Sequence, residues 1–291
     1  MNTGSKYILA AALSAVLALA ALGQQEVPRT FDARGVVKEL PADGKTVVIQ
    51  HEAISNYMGA MTMPFEVHDT NLLRNLKPGD HIRFRLNVAS KEGWIDNIIL
   101  LRRSLLPAAA QPGIELSRAT APLDIGQPLP DYHFTNELGQ DARLSQFKGR
   151  VLAFTFFFTS CPYPNFCPRM TGNFSEAAAL LKEKAGPDAR WQLLSISFDP
   201  KTDTPQRLRD YAEAAHYDPA HWSFLTGDPE QISELADNFG EFYSNVGAAI
   251  SHNLRTVVVD PQGRVRKIFE GNTWTPGELV DEMLKASAAT P

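Results

Sequence analysis

Two cysteines occur in this chain of 291 residues, Cys161 and Cys167, and both fall in the stretch FTFFFTSCPYPNFCPRM. A thiolate is both a nucleophile and a soft metal ligand. Five residues, PYPNF, separate the pair, where a C-x-x-C redox motif has two. A bridge across so short a loop would stabilise little. That leaves a redox dithiol, a peroxidatic site or a metal clamp ahead of a structural bridge. The apolar run Val151–Phe158 reads as a strand that delivers Thr159-Ser160-Cys161. Pro168 fits the first position of a helix, which puts Cys167 in the N-cap region. The dipole and open N–H groups at such an end favour thiolate. A proline-stiffened spacer can hold two sulfurs around a metal at about 2.3 Å each, taking zinc–thiolate lengths as the guide. Two thiolates with an imidazole form a set that suits copper, as Cu(I) or Cu(II).

A second group of soft donors lies upstream. Three of the six methionines fall in MGAMTM, as Met58, Met61 and Met63, and His51 precedes them. Met61, Met63, Phe65 and Val67 share one parity and so face one side of a strand. Core packing explains that stripe by itself. Thioethers with an imidazole also make a ligand set for Cu(I).

The elements that position these residues divide into two groups. RGVVKELPADGKTVVIQHEAI alternates on either side of Asp43-Gly44, a hairpin signal. MTMPFEV, LKPGDHIRFRLNV and GWIDNIILL follow as strands, with one helical turn near 72–76. Five short strands over 29–103 predict a small all-β barrel of OB type. Residues 104–122, rich in Ala and Pro and without period, read as a linker. From 123 to 288 the pattern alternates. RVLAFTFFF, WQLLSISF and RTVVVD are strands; 168–184, 204–215, 229–239 and 276–287 are helices, the last capped by Thr275. A turn at Pro261-Gln262-Gly263 adds a late hairpin. This predicts an α/β, thioredoxin-like domain. In such a sheet the loop carrying His252, in ISHNLRTVVVDPQGRV, approaches the loop carrying the cysteines, so His252 is the candidate third ligand. His133, His216 and His221 are its rivals; the last two sit in a polar turn and read as solvated.

The first 23 residues read as an export signal. Lys6 gives a basic start, Tyr7 to Leu22 is apolar, and Ala21-Leu22-Gly23 is a small-x-small cleavage site. The apolar run is shorter than the roughly 20 residues that span a bilayer, which favours cleavage over an anchor. A formal net charge of -5 argues against nucleic acid as a partner. The expected location is the periplasm or the outer face of the cytoplasmic membrane.

FFFTSCPYPNFCPRM, SISFDPKTDTPQRLRDYA and SHNLRTVVVDPQGRV together resemble the Sco/SenC family over about 123–288. The resemblance implies a thioredoxin-fold copper protein that helps assemble the binuclear copper centre of cytochrome c oxidase. It also implies copper ligands at Cys161, Cys167 and His252, with Asp199 as an acidic neighbour. The commonest family motif has three residues between the cysteines; the CPxPxFCP form here resembles a variant. HEAISNYMGAMTMPFEV with LKPGDHIRFRL is similar to CusF-like periplasmic copper and silver metallochaperones, over about 33–101. That resemblance implies ligands at His51, Met61 and Met63, and puts Met58 where the family has a Trp.

The two resemblances imply an exported chaperone that binds copper in both modules. Its expected partners are the oxidase subunit with the binuclear copper site and other periplasmic copper carriers. A thiol–disulfide oxidoreductase acting on a copper-site apoprotein is the competing enzyme reading. Sequestration of copper or silver for resistance is a third.

Overall fold

The computed structural model describes residues 26–103, 122–186, 190–241, 243–246, 249–252 and 254–288, with backbone alone over 243–252. The expected signal at 1–23 and most of the linker lie outside them. Among the described residues no helix is long and apolar enough to cross a membrane.

The N-terminal module is an antiparallel sheet of β1 (Arg29–Glu39), β2 (Thr46–His51), β3 (Met61–Glu66), β4 (His81–Val88) and β5 (Gly93–Arg102), in the order β3-β2-β1-β4-β5. Alternation builds it: in β4, Ile82, Phe84 and Leu86 are buried while Arg83 and Arg85 are exposed. The β1–β2 turn is set by Asp43, whose carboxylate accepts from the N–H groups of Lys45 and Thr46, and by Gly44 at φ 67°. The closed barrel expected from the strand pattern is not formed. Register shifts in the β1–β2 and β4–β5 ladders curl the sheet, and β3 approaches β5 within 8 Å, but no ladder joins these edges. Bulges bend the ladders; closure further requires hydrogen bonds between the two edge strands, which strand periodicity does not encode.

The C-terminal module centres on β8 (Val151–Phe157), β9 (Trp191–Ser197) and β10 (Trp222–Gly227), which run parallel. Every residue of β8 and β9 is buried, as continuous apolar runs require when both faces are covered. β13 (Arg255–Val259) and β14 (Val265–Glu270) extend one edge antiparallel, and β6 (His133–Asn136) and β7 (Asp141–Arg143) extend the other. Four helices accompany the sheet: α1 (Cys167–Lys184), α2 (Pro205–Ala214), α3 (Pro229–Asn238) and α4 (Pro276–Ala288). Thr204 caps α2 ahead of Pro205. Thr275 and Glu278 form a reciprocal cap on α4. A separate hairpin, β11 (Tyr243–Val246) with β12 (Ala249–His252), leaves the domain, and β12 passes within 8 Å of β3.

Candidate metal centre

The cysteine loop is held from below by a buried acid. Asp203, fully buried, accepts hydrogen bonds from the Thr159 N–H, the Thr159 hydroxyl and the Ser197 hydroxyl. Arg207 then donates to Thr159 Oγ1 at 2.7 Å. These bonds fix the end of β8 and the start of the cysteine loop. Asp203, not Asp199, is therefore the structural acid of DPKTDTP. Asp199 lies nearer the surface, donates its N–H to the Ser197 hydroxyl oxygen and lines the cavity described below.

Cys167 is the first residue of α1, one position inside the expected cap, and is fully buried. The helix end favours thiolate, and burial works against it. Burial pushes the Cys167 thiol well above its ordinary value, and the hydrogen-bonded Cys161 side chain raises it further. The Phe158 backbone lowers it somewhat, and the buried Glu241 adds a smaller like-charge penalty. Desolvation of a small anion outweighs the helix end here. Cys161 is half-buried, and no sulfur–sulfur bond joins the two.

In the N-terminal module His51 stands directly opposite Met61 in the β2–β3 ladder, and Ile49 opposite Met63. Such pairs have Cβ atoms about 4.5–5.5 Å apart. His51 is 2% exposed, with its ring edge-on to Phe65. Its Nδ1 lies 2.7 Å from the Glu52 carbonyl. A carbonyl accepts and cannot donate, so the proton sits on Nδ1 and the lone pair on Nε2. Nε2 is buried and, among the described residues, has no hydrogen-bond partner. Burial also lowers the imidazole's pKa, partly offset by the Glu52 carbonyl, which keeps the ring neutral. An orphaned, unprotonated nitrogen beside a thioether is what a soft cation requires.

A cavity of about 520 Å³ lies between the modules and brings the two donor groups face to face. Met58, Met61 and Met63 line it from one side, Cys161 and Asp199 from the other. His51 is not among its lining residues; it stands beside Met61 on the neighbouring strand and lines a second cavity with Gly35, His81 and Arg102. The spacer PYPNF forms the joint. The Tyr163 hydroxyl donates to the Gly93 carbonyl at 2.9 Å, and Asn165 clamps the same residue, accepting from its N–H at 2.8 Å and donating to its carbonyl at 2.7 Å. Buried bonds of this kind contribute about 1 kcal/mol each. A Cβ on Gly93 would lie 2.5 Å from the Tyr163 ring. The Tyr57 hydroxyl donates to the Pro162 carbonyl at 2.8 Å, and Arg169 pairs with Glu66 at 2.7 Å.

His252 ends β12, opposite Tyr243; its side chain lies outside the described residues, and so does any contact with the cysteines. His133, His216 and His221 do not line the cavity. His221 stacks on Trp191 with ring centres 4.1 Å apart. Among the described residues, no three His, Cys, Asp or Glu side chains form a metal-sized group. The methionine donors fall outside that set of residue types.

Sequence reasoning passed over Asp203, Tyr57, Tyr163, Asn165 and Gly93. The signal for Asp203 was its place just before the Thr204-Pro205 helix start. Nothing local marks the other four.

The model of the family described as SCO1/SenC matches residues 122–288, more than half of the chain. The chain belongs to the SCO1/SenC family. A second model, described as the copper binding periplasmic protein CusF, matches residues 30–98, so this member carries an N-terminal CusF-like domain. The SCO1 protein homolog of Bacillus subtilis is 29% identical over 161 residues, covering 54% of this chain and 81% of that protein. An SCO2-like protein of Rickettsia conorii is 28% identical over 160 residues, 52% of this chain and 73% of its own. The crystal structure of a SCO1/SenC family lipoprotein from Bacillus anthracis superposes with a TM-score of 0.50 at 28% identity, over 55% of this chain and 95% of that one. The C-terminal module thus has the thioredoxin-like Sco fold, and the N-terminal one is all-β.

Proposed function

We propose that this chain is an exported copper chaperone that holds copper in both modules, 29–103 and 123–288, and delivers it for assembly of the binuclear copper centre of cytochrome c oxidase. In the N-terminal module His51 Nε2 and the thioethers of Met61 and Met63 hold Cu(I), with Met58 as a third sulfur. In the C-terminal module Cys161, Cys167 and His252 hold copper as Cu(I) or Cu(II). Metal leaves by ligand exchange to the oxidase subunit or to another periplasmic carrier, and no substrate is turned over. The observation that supports this best is the buried, unprotonated His51 Nε2, which has no hydrogen-bond partner among the described residues and stands across from Met61. The CusF-like match over the same strands and the Sco membership of the rest point the same way.

The test is dialysis of the reduced full chain against Cu(I). Two equivalents retained are expected; none retained overturns the reading. His252→Ala is expected to abolish the visible thiolate-to-Cu(II) absorption, and an unchanged spectrum would remove His252 from the ligand set.

The hydrogen-bond contact between the cysteines favours a second reading, thiol–disulfide exchange on a copper-site apoprotein. Cys161, the more exposed, would attack and Cys167 resolve. Disulfide reduction at the same rate with and without bound copper would favour that reading. Retention of copper in the presence of an apo-oxidase subunit would favour sequestration.

A further inference from the structure

We infer that the cavity between the modules is an exchange chamber, in which Cu(I) passes from the methionines to Cys161, and that the inter-cysteine spacer is the pin that assembles it. The inference rests on the copper reading of both modules. Three observations carry it. First, Met58, Met61, Met63 and Cys161 line one cavity, so thioether and thiol donors share it without a partner protein. Second, Cys167 is fully buried and is not among the lining residues, while Cys161 is in hydrogen-bond contact with it. Cargo that comes from the methionines therefore meets Cys161 first and Cys167 next. Third, the joint is made by the spacer itself. Tyr163 and Asn165 close on both polar groups of Gly93, and the Asn165 carbonyl accepts from Asn272 Nδ2 at 2.6 Å, which ties the pin to its own domain. The CPxPxFCP spacing thus has a use besides spreading two sulfurs: it carries the residues that seat the cysteine loop over the methionine strand. The backbone of β12 reaches the same strand.

The transfer is ligand exchange without redox change. Cu(I) starts with charge +1 on neutral ligands, the His51 imidazole and the methionine thioethers. The Cys161 sulfur bonds to the metal as one thioether leaves, and the thiol proton passes to water. Cys167 then bonds and loses its proton as the remaining thioether and the imidazole leave. The products are a bis-thiolate Cu(I) of charge -1, two protons, free methionines and the free neutral His51 imidazole. Thiolates hold the soft ion more strongly than thioethers, which sets the direction.

The test mixes reduced full chain with one equivalent of Cu(I) in acetonitrile and follows the near-ultraviolet thiolate–Cu(I) absorption by stopped flow. A concentration-dependent capture step is expected, then a rise whose rate does not depend on protein concentration. Gly93 is not a ligand, and the three atoms nearest an added methyl there all belong to Tyr163. Gly93→Ala is therefore expected to part the modules in small-angle scattering, keep two copper equivalents and slow the second step at least tenfold. Tyr163→Phe with Asn165→Ala, which removes the three hydrogen bonds, is expected to do the same. A second step that scales with protein concentration in the unaltered chain overturns the chamber. So does an unchanged rate in a variant whose modules have parted. Modules that stay together in both variants overturn the pin. Two equivalents with a failed relay leave the chaperone reading standing; fewer than two in the unaltered chain strike that reading instead.

Discussion

The methionine strand and the cysteine loop face one another across the same cavity, yet they are built on opposite terms. On β3 the donors are neutral and their spacing is fixed by the pleat: Met61 and Met63 share a face because the strand has a period of two. On the loop the donors are acids that must lose protons, and their placement depends on a buried carboxylate, Asp203, that no periodicity supplies. The comparison teaches that donors of similar softness respond differently to their surroundings. Burial lowers the His51 imidazole and raises the Cys167 thiol, so it favours the neutral form of both, which is the ligating form of an imidazole but not of a thiol.

The sharpest break of that comparison removes one side of it. Cys161→Ala or Cys167→Ala is expected to abolish the thiolate–copper absorption and one equivalent of Cu(I), while the methionine side keeps its own. Loss of both equivalents would mean that the two sides form a single site. On the other side the substitution must spare the packing. Met63 is a core residue, 1% exposed, and truncation to Ala would cost about 2–5 kcal/mol. Met61→Leu with Met63→Leu keeps volume at under about 1.5 kcal/mol per site and removes only the sulfurs. It is expected to lose the other equivalent with a shift in Tm of a few degrees. Copper retained at two equivalents would make the methionines core and nothing more.

Acidity sharpens the contrast next. The Cys167 thiol is raised above its ordinary value, so copper must displace its proton throughout the neutral range, and affinity at the cysteines falls at least tenfold per pH unit as pH drops. His51 is lowered, so protons do not compete for Nε2 until pH falls below the ordinary imidazole value of about 6.5. Between pH 8 and that value the methionine side is expected to hold its affinity. A competitive Cu(I) titration across the range, on the two sets of variants, reads both slopes; parallel slopes would contradict the assignment. The smallest expected effect is that of Asp203→Asn. It replaces a carboxylate acceptor of three hydrogen bonds and is expected to cost about 1–3 kcal/mol in denaturant unfolding, with a shifted copper absorption because the loop start loosens.

Much of this was legible in the chain. The apolar runs of β8 and β9, the Thr-Pro start of α2 and the Thr275 cap follow from local rules, and so does the placement of both cysteines between strand and helix. Short edge strands did not show: HFTN and DAR lack an apolar run, and YSNV in β11 is polar. WSFLTG of β10 is buried but was passed over between stronger patterns. Barrel closure failed as a prediction because it is decided by hydrogen bonds between the first and last strands of a sheet, not by alternation within them. At the site, the soft donors were visible by type. The clamp of Asn165 on Gly93 was not, because its partners are 72 residues apart and neither stands out locally. Within DPKTDTP, the acid that holds the loop proved to be Asp203, four residues after Asp199.

The measurement closest to the central claim is copper K-edge X-ray absorption on the full chain carrying Cys161→Ala and Cys167→Ala, loaded with one equivalent of Cu(I). A shell of two or three sulfurs near about 2.3 Å with one nitrogen is predicted, the thioethers of the methionine strand and the His51 imidazole. A shell of nitrogen and oxygen alone, or no copper retained, would contradict the account.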